Sequence, residues 1–323
     1  MNLDLNMNAP FLADVAETAE SAAKSSISPW IICAVAVVIV AVIAVVVLAT
    51  RGKKKNTAKP SAGATVPTHP MPNVERETLP ITAVGNVHGI GKRPDQQDAF
   101  GVSSIANNKL VKQKGILAIV ADGMGGLKNS GEISQAIVHS ALDRFSEFSG
   151  TQRETLLMLG ANINGMASDN FGGGTGTTFI AASIRDGLLD FISIGDSRIA
   201  LCRSGSLLTL NRVHNYAADL DSSAARGLVS VASAMNDPKR ARLTSYVGMN
   251  EPKAVDMPAA PMQLNPGDRI IIMTDGVFGT LTDGEIASAL ECSAPEAALR
   301  LEAMIKDKDL DNQDNYTAII IEI

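Results

Sequence analysis

At 323 residues with 46% hydrophobic content, the chain is long and apolar enough to bury a sizeable core, which excludes a disordered or fibrous protein. Its cysteines, Cys33, Cys202 and Cys292, are too far apart for a CxxC metal pattern or a disulfide framework. Its four histidines show no HxxxH or HExxH spacing, which leaves carboxylates as the candidate metal ligands.

The net charge of −6 is unevenly spread: residues 1–28 carry −3, 51–60 carry +5 and 61–80 carry −1, which leaves −7 for 81–323. That balance argues against nucleic-acid binding, because affinity for a phosphate backbone needs clustered Lys and Arg. Residues 1–28 form a short acidic segment. The run Ile31–Ala49, IICAVAVVIVAVIAVVVLA, has no charged residue and would span roughly 28 Å as a helix, the thickness of a bilayer core. About thirty mostly polar or acidic residues precede it, unlike the basic start of a secretory signal, so a transmembrane helix is expected over 29–50. RGKKK follows directly, so the positive-inside rule places the N-terminus outside and everything after the helix in the cytoplasm, with Trp30 at the outer interface. The basic stretch and the Pro-, Ala- and Thr-rich segment that follows make 51–80 a juxtamembrane tether.

From 81 to 323 the pattern is that of one soluble domain. The short β-branched runs ILAIVA, TTFIAASI, LLDFISI, RIALCR, RIIIMT and YTAIIIEI predict strands. GEISQAIVHSALDRFSEF, RETLLMLGANINGMASDN, DGEIASAL and APEAALRLEAMIKD predict helices. Three successive strand signals between residues 175 and 210, joined by the turns RDG, GDS and RSG, predict an antiparallel meander. Sheets with segregated helices make an α+β domain, read as two sheets between helix layers.

Aspartates recur at strand ends: Asp98 in RPDQQDAF, Asp122 in IVADGMGG, Asp196 in SIGDSR, Asp275 in IIMTDG and Asp314 in DNQDNYT. One such aspartate is an ordinary turn residue. Several converging would suit a hard divalent cation such as Mg²⁺ or Mn²⁺, with glycines letting a backbone carbonyl approach the ion. Two such ions would lower the pKa of a bridging water and orient it for in-line attack on phosphorus. Arg93, five positions before Asp98, offers a planar fork for phosphate. The glycine-rich FGGGTGTT lacks the GK[ST] ending of a P-loop and precedes a strand, so it is read as a close-packed strand entry.

In order and spacing, RPDQQDAF, VADGMGG followed by Gly131 and Glu132, GGGTGTT, IGDSRIALCR, MTDGVFG and DNYTAIII together resemble the metal-dependent PP2C or PPM class of serine/threonine protein phosphatases, especially its bacterial branch. The resemblance runs from about Ala83 to Ile323. It implies a central β-sandwich of two mainly antiparallel sheets flanked by helix layers. It also implies hydrolysis of phosphoserine or phosphothreonine by a metal-activated water, without a phosphoenzyme. By motif, Asp122 is similar to the carboxylate bridging two central Mn²⁺ or Mg²⁺ ions, Gly123 would offer its carbonyl, and Asp275 and Asp314 would complete the core site. Asp98 resembles the family's aspartate that holds metal-bound water, and Arg93 its phosphate-binding arginine. Asp196 would help Asp275 hold the third metal of bacterial members.

The segment from His214 to Gly248 matches the one containing the family's mobile flap. Met124 stands where many eukaryotic members carry a histidine proposed as general acid, Gln96 replaces the asparagine of NQD, and Asn211–His214 departs from TxDH. The implied partners are phosphoproteins, a cognate protein kinase and the membrane, with no nucleic acid. The competing readings are a catalytically silent scaffold or sensor, which would be expected to have lost ligands, and a two-metal hydrolase of nucleotides or nucleic acid, against which the acidic charge weighs.

Overall fold

The computed structural model describes residues 81–103, 108–124, 129–171 and 175–323. Its organisation follows from strands that are apolar on both faces. In β3 (Ile116–Asp122), Ile116, Ala118 and Val120 face one way and Leu117, Ile119 and Ala121 the other, and all six are buried. A strand like that needs cover on both sides, here a second sheet on one and helices on the other.

One sheet has the order β2 (Asp98–Val102), β3, β4 (Phe179–Arg185), β5 (Leu188–Ile194) and β8 (Met262–Gln263). The other runs β1 (Ala83–Gly89), β10 (Tyr316–Glu322), β9 (Arg269–Met273), β6 (Arg198–Arg203) and β7 (Ser206–Thr209). Every strand pair is antiparallel. Between the sheets lie Ile116, Val120, Ile180, Phe191, Ile199, Ile270, Ile272, Ile319 and Ile321.

The outer face of the first sheet is covered by α2 (Ser130–Phe145) and α3 (Gln152–Phe171), through Ile133, Ile137, Leu156, Leu159 and Ile163. The outer face of the second is covered by α7 (Asp283–Ala289) and α8 (Ala294–Asp307), through Ile286, Leu301 and Ile305. Both latter helices start where the sequence signals it. Thr282 with Glu285 and Ser293 with Glu296 form reciprocal capping boxes. Shorter helices are α1 (Asn108–Lys114), α4 (Tyr216–Ala225), α5 (Val231–Met235) and α6 (Asp275–Phe278).

The expected meander is corrected. β4 and β5 form a hairpin in one sheet, whereas β6 and β7 form a hairpin in the other. The two hairpin turns place consecutive residues at positive φ, Asp186 (53°) with Gly187 (72°) and Ser204 (52°) with Gly205 (75°), the requirement of a two-residue hairpin turn. At GDS only Gly195 has positive φ (109°), and the chain turns a corner from one sheet to the other. The turn residues look alike in sequence; the difference lies in the long-range partners described below. Among the described residues no helix is long and apolar enough to cross a membrane. The expected span 29–50, the tether 51–80 and Gly125, Gly126 and Gly172–Gly174 lie outside the described residues.

Candidate active site

Strand register brings the aspartates together. Asp98 begins β2 and Asp122 ends β3, and the two are direct cross-strand partners. Asp275 opens α6, one residue (Thr274) beyond β9, Asp314 is separated from β10 by Asn315, and Asp196 sits in the corner between β5 and β6. Asp122, Asp196, Asp275 and Asp314 line one cavity of about 510 Å³ together with Arg93, Gly123 and Met124. Asp98 lies buried beside it at 2% exposure. Thus all seven residues singled out in the sequence meet at one place.

The carboxylates strongly perturb one another. Burial, then the charges of Asp98, Asp275, Asp196 and Asp314, push the Asp122 carboxyl well above its ordinary value. Asp98 rises to about 7, chiefly by burial, although Thr317 and Thr274 hydroxyls oppose the rise. Asp196 also rises to about 7, by burial and the Asp275 charge. Asp275 is raised by burial and by Asp314. Arg93 donates from Nη2 to Asp314 Oδ2 at 2.5 Å and lines this cavity from the β1–β2 loop.

Several supporting residues went unnoticed in the sequence because each is an ordinary polar residue on a strand or loop. Thr274 and Thr317 donate to Asp98 Oδ2 at 2.9 and 2.7 Å, while Asp98 Oδ1 is buried with no hydrogen-bond partner among the described residues. Asn315 accepts from Gln97 N and donates to the carbonyls of Ile90 and Asp95, so it ties the loop bearing Arg93 to Asp314. Thr178 Oγ1 accepts from Asp122 N at 2.9 Å and lies 2.7 Å from Ser197 Oγ.

Asn211 and His214, in the segment that departs from the family pattern, pin the Asp196 corner. Asn211 accepts from Ile199 N and donates to Ser193 Oγ and Ser197 O, and Gly195 N donates to His214 Nδ1. Beyond them Ala241, Arg242, Leu243 and Tyr246 line the cavity, so the predicted flap segment does border the site.

Gly123 is confined by its neighbours. A Cβ there would stand 2.3 Å from Ser130 O and 2.8 Å from Gln97 O. Gly176 in FGGGTGTT is equally confined, since its Cβ would meet the Tyr246 ring at 2.3 Å, which agrees with a packed strand entry. Met124 lines the cavity with a thioether, which has no proton to give.

Among the described residues no group of three or more His, Cys, Asp or Glu side chains is placed so that it could hold a metal ion as it stands. The chemistry of the donors nevertheless suits hard divalent cations. They are all oxygen, burial and then mutual repulsion make them resist ionisation, and one buried carboxylate oxygen, Asp98 Oδ1, lacks a partner among the described residues.

Comparison with known proteins identifies the family. The family profile of protein phosphatase 2C matches residues 88–305, more than half of the chain. A protein phosphatase 2C-type protein of Streptococcus pyogenes is 29% identical over 209 residues, covering 62% of this chain and 80% of that one. The serine/threonine phosphatase stp of Listeria innocua is 25% identical over 221 residues, covering 65% and 86%. Among solved structures, the S. agalactiae serine/threonine phosphatase superposes with a TM-score of 0.62 at 23% identity, over 75% of this chain and 99% of that one. This last likeness concerns the fold.

Proposed function

Because this chain belongs to the protein phosphatase 2C family, we propose that it is a serine/threonine protein phosphatase that hydrolyses phosphoserine and phosphothreonine and opposes a protein kinase. The observation that carries the reading is the convergence of Asp122, Asp196, Asp275 and Asp314 with Arg93 in one cavity, with Asp98 buried alongside. Asp122, Asp275, Asp314 and the Gly123 carbonyl would hold two Mn²⁺ or Mg²⁺ ions, with Asp196 and Asp275 available to a third. Such ions supply charge neutralisation and an activated water for in-line attack on phosphorus.

The remaining work falls to this chain's own groups. Arg93 leaves Asp314 for the substrate phosphate, which it can bind through a two-pronged contact that a lysine cannot reproduce. Asp98, held by two hydroxyls, keeps an acceptor oxygen fixed beside Asp122. Ala241, Arg242, Leu243 and Tyr246 wall the cavity where the peptide bearing the phosphate would lie. With Met124 in place, the leaving oxygen takes its proton from a group other than this side chain.

The apolar run 31–49 and the RGKKK that follows support a single-pass membrane anchor at 29–50, with 1–28 outside and the catalytic domain, 81–323, in the cytoplasm at the end of the 51–80 tether. Protease protection of tagged termini in sealed cells tests that orientation. For the catalytic reading, the test is Mn²⁺-dependent hydrolysis of p-nitrophenyl phosphate and of a phosphothreonine peptide. Asp122→Ala and Asp275→Ala are expected to abolish turnover while the fold persists, and full activity in either variant would refute the site.

A further inference from the structure

His88 lies on β1 directly across from Thr317 on β10, as a register partner. Its Nδ1 is 2.9 Å from Thr317 Oγ1, which in turn lies 2.7 Å from Asp98 Oδ2. The ring is tilted against Phe100 of β2, with centroids 5.1 Å apart. A three-residue chain therefore runs from a partly exposed imidazole on one sheet to a buried carboxylate on the other.

The protons in that chain follow by counting when Asp98 is ionised. A threonine hydroxyl has one proton to give. With Asp98 ionised, its Oδ2 accepts from both Thr274 and Thr317. The Thr317 proton is therefore committed to Asp98, and Thr317 Oγ1 can meet His88 only as an acceptor. Partial burial lowers the His88 pKa, which favours the neutral ring, and a neutral ring has a single N–H. Satisfying Thr317 requires that hydrogen on Nδ1.

We propose that His88 is a positioning residue for the phosphatase reaction: its Nδ1–H donates to Thr317 and thereby holds the Thr317 hydroxyl in the orientation that anchors Asp98. The proposal rests on the phosphatase reading. Without the imidazole donor, Thr317 Oγ1 is free to rotate its hydrogen to other acceptors, and Asp98 loses one of its two anchors for part of the time. Loss of a hydrogen bond of this kind corresponds to a change of about tenfold in rate.

The test separates the donor from the ring in the full-length chain, with Mn²⁺ and p-nitrophenyl phosphate at neutral pH. His88→Phe keeps a ring against Phe100 and removes the donor; His88→Asn keeps an N–H donor near the Nδ1 position and removes the ring. The expected result is a fall in kcat of about tenfold for His88→Phe with KM nearly unchanged, and recovery to within about threefold of the original rate for His88→Asn. His88→Phe should add no further loss in a Thr317→Val background. A fully active His88→Phe, an equal loss in His88→Asn, or multiplicative losses in the double variant would overturn the proposal.

NMR of nitrogen-labelled histidine reads the tautomer without any turnover. Protonation of His88 on Nδ1 is expected, and protonation on Nε2 alone overturns the proposal. An unaltered chain with the Nδ1–H tautomer but no phosphatase activity would refute the phosphatase reading and leave the hydrogen-bond chain standing.

Discussion

Replacing Asp98 with asparagine should stabilise the metal-free protein while impairing the enzyme, and the size of the effect should depend on pH. Asp98 is 2% exposed, and burial together with the charges of Asp275 and Asp314 raises its carboxyl from the ordinary 3.8 to about 7. The folded chain therefore binds this proton more tightly than the unfolded chain does. Its contribution to stability is complete below about pH 4 and is lost as the pH rises to about 7. At about 1.4 kcal/mol per pH unit, that interval corresponds to a cost of about 4 kcal/mol once Asp98 is ionised.

Asparagine removes the ionisation but can still accept from Thr274 and Thr317. Relaxation and the neighbouring carboxylates reduce the figure, so a gain of about 2–4 kcal/mol is expected at about pH 8 in EDTA, with little gain at about pH 4.5. Urea unfolding at the two pH values measures both numbers. A variant less stable than the original chain at the higher pH, or one whose effect is the same at both, would refute the reasoning.

Three further outcomes follow from the geometry. Arg153→Ala strands the carboxylate of Asp190, which is 0% exposed and takes paired hydrogen bonds from Arg153 Nε and Nη2 at 3.2 Å; because Arg153 is partly exposed, the loss should sit near the lower end of the range for a broken buried pair, about 3 kcal/mol by urea unfolding. Gly123→Ala forces a Cβ to 2.3 Å from Ser130 O, so the β3–α2 connection must shift, and phosphatase assays should show loss of activity beyond what the drop in melting temperature explains. Arg93→Lys replaces the planar fork with a point charge and should raise KM for a phosphopeptide about tenfold or more, with a small change in melting temperature.

The fold was legible wherever the pattern was local. LLDFISI and RIALCR bound β5 and β6 to the residue, and APEAALRLEAMIKD bounds α8, because β-branched runs and capping residues act over a few positions. The sheet assignment of those two strands was not legible: whether Gly195–Ser197 makes a hairpin or a corner depends on Asn211 and His214, more than ten residues away. β1 and β2 escaped notice for a related reason, since AVGNVHG and DAFGV alternate weakly and are held largely by their neighbours β10 and β3.

The site's charged residues were visible because aspartate at a strand end is chemically conspicuous in a repeated pattern. Thr274, Thr317 and Asn315 were not, because their roles arise only when strands distant in sequence lie side by side. The same holds for His88, an isolated histidine whose partner is 229 residues away.

The most direct measurement is phosphate release from a phosphothreonine peptide by the full-length chain, first stripped of metal with EDTA and then titrated with Mn²⁺. The account predicts no release from the stripped protein and saturable recovery on titration, with the recovery absent in Asp122→Asn. Equal release before and after Mn²⁺, or recovery undiminished in Asp122→Asn, would contradict it.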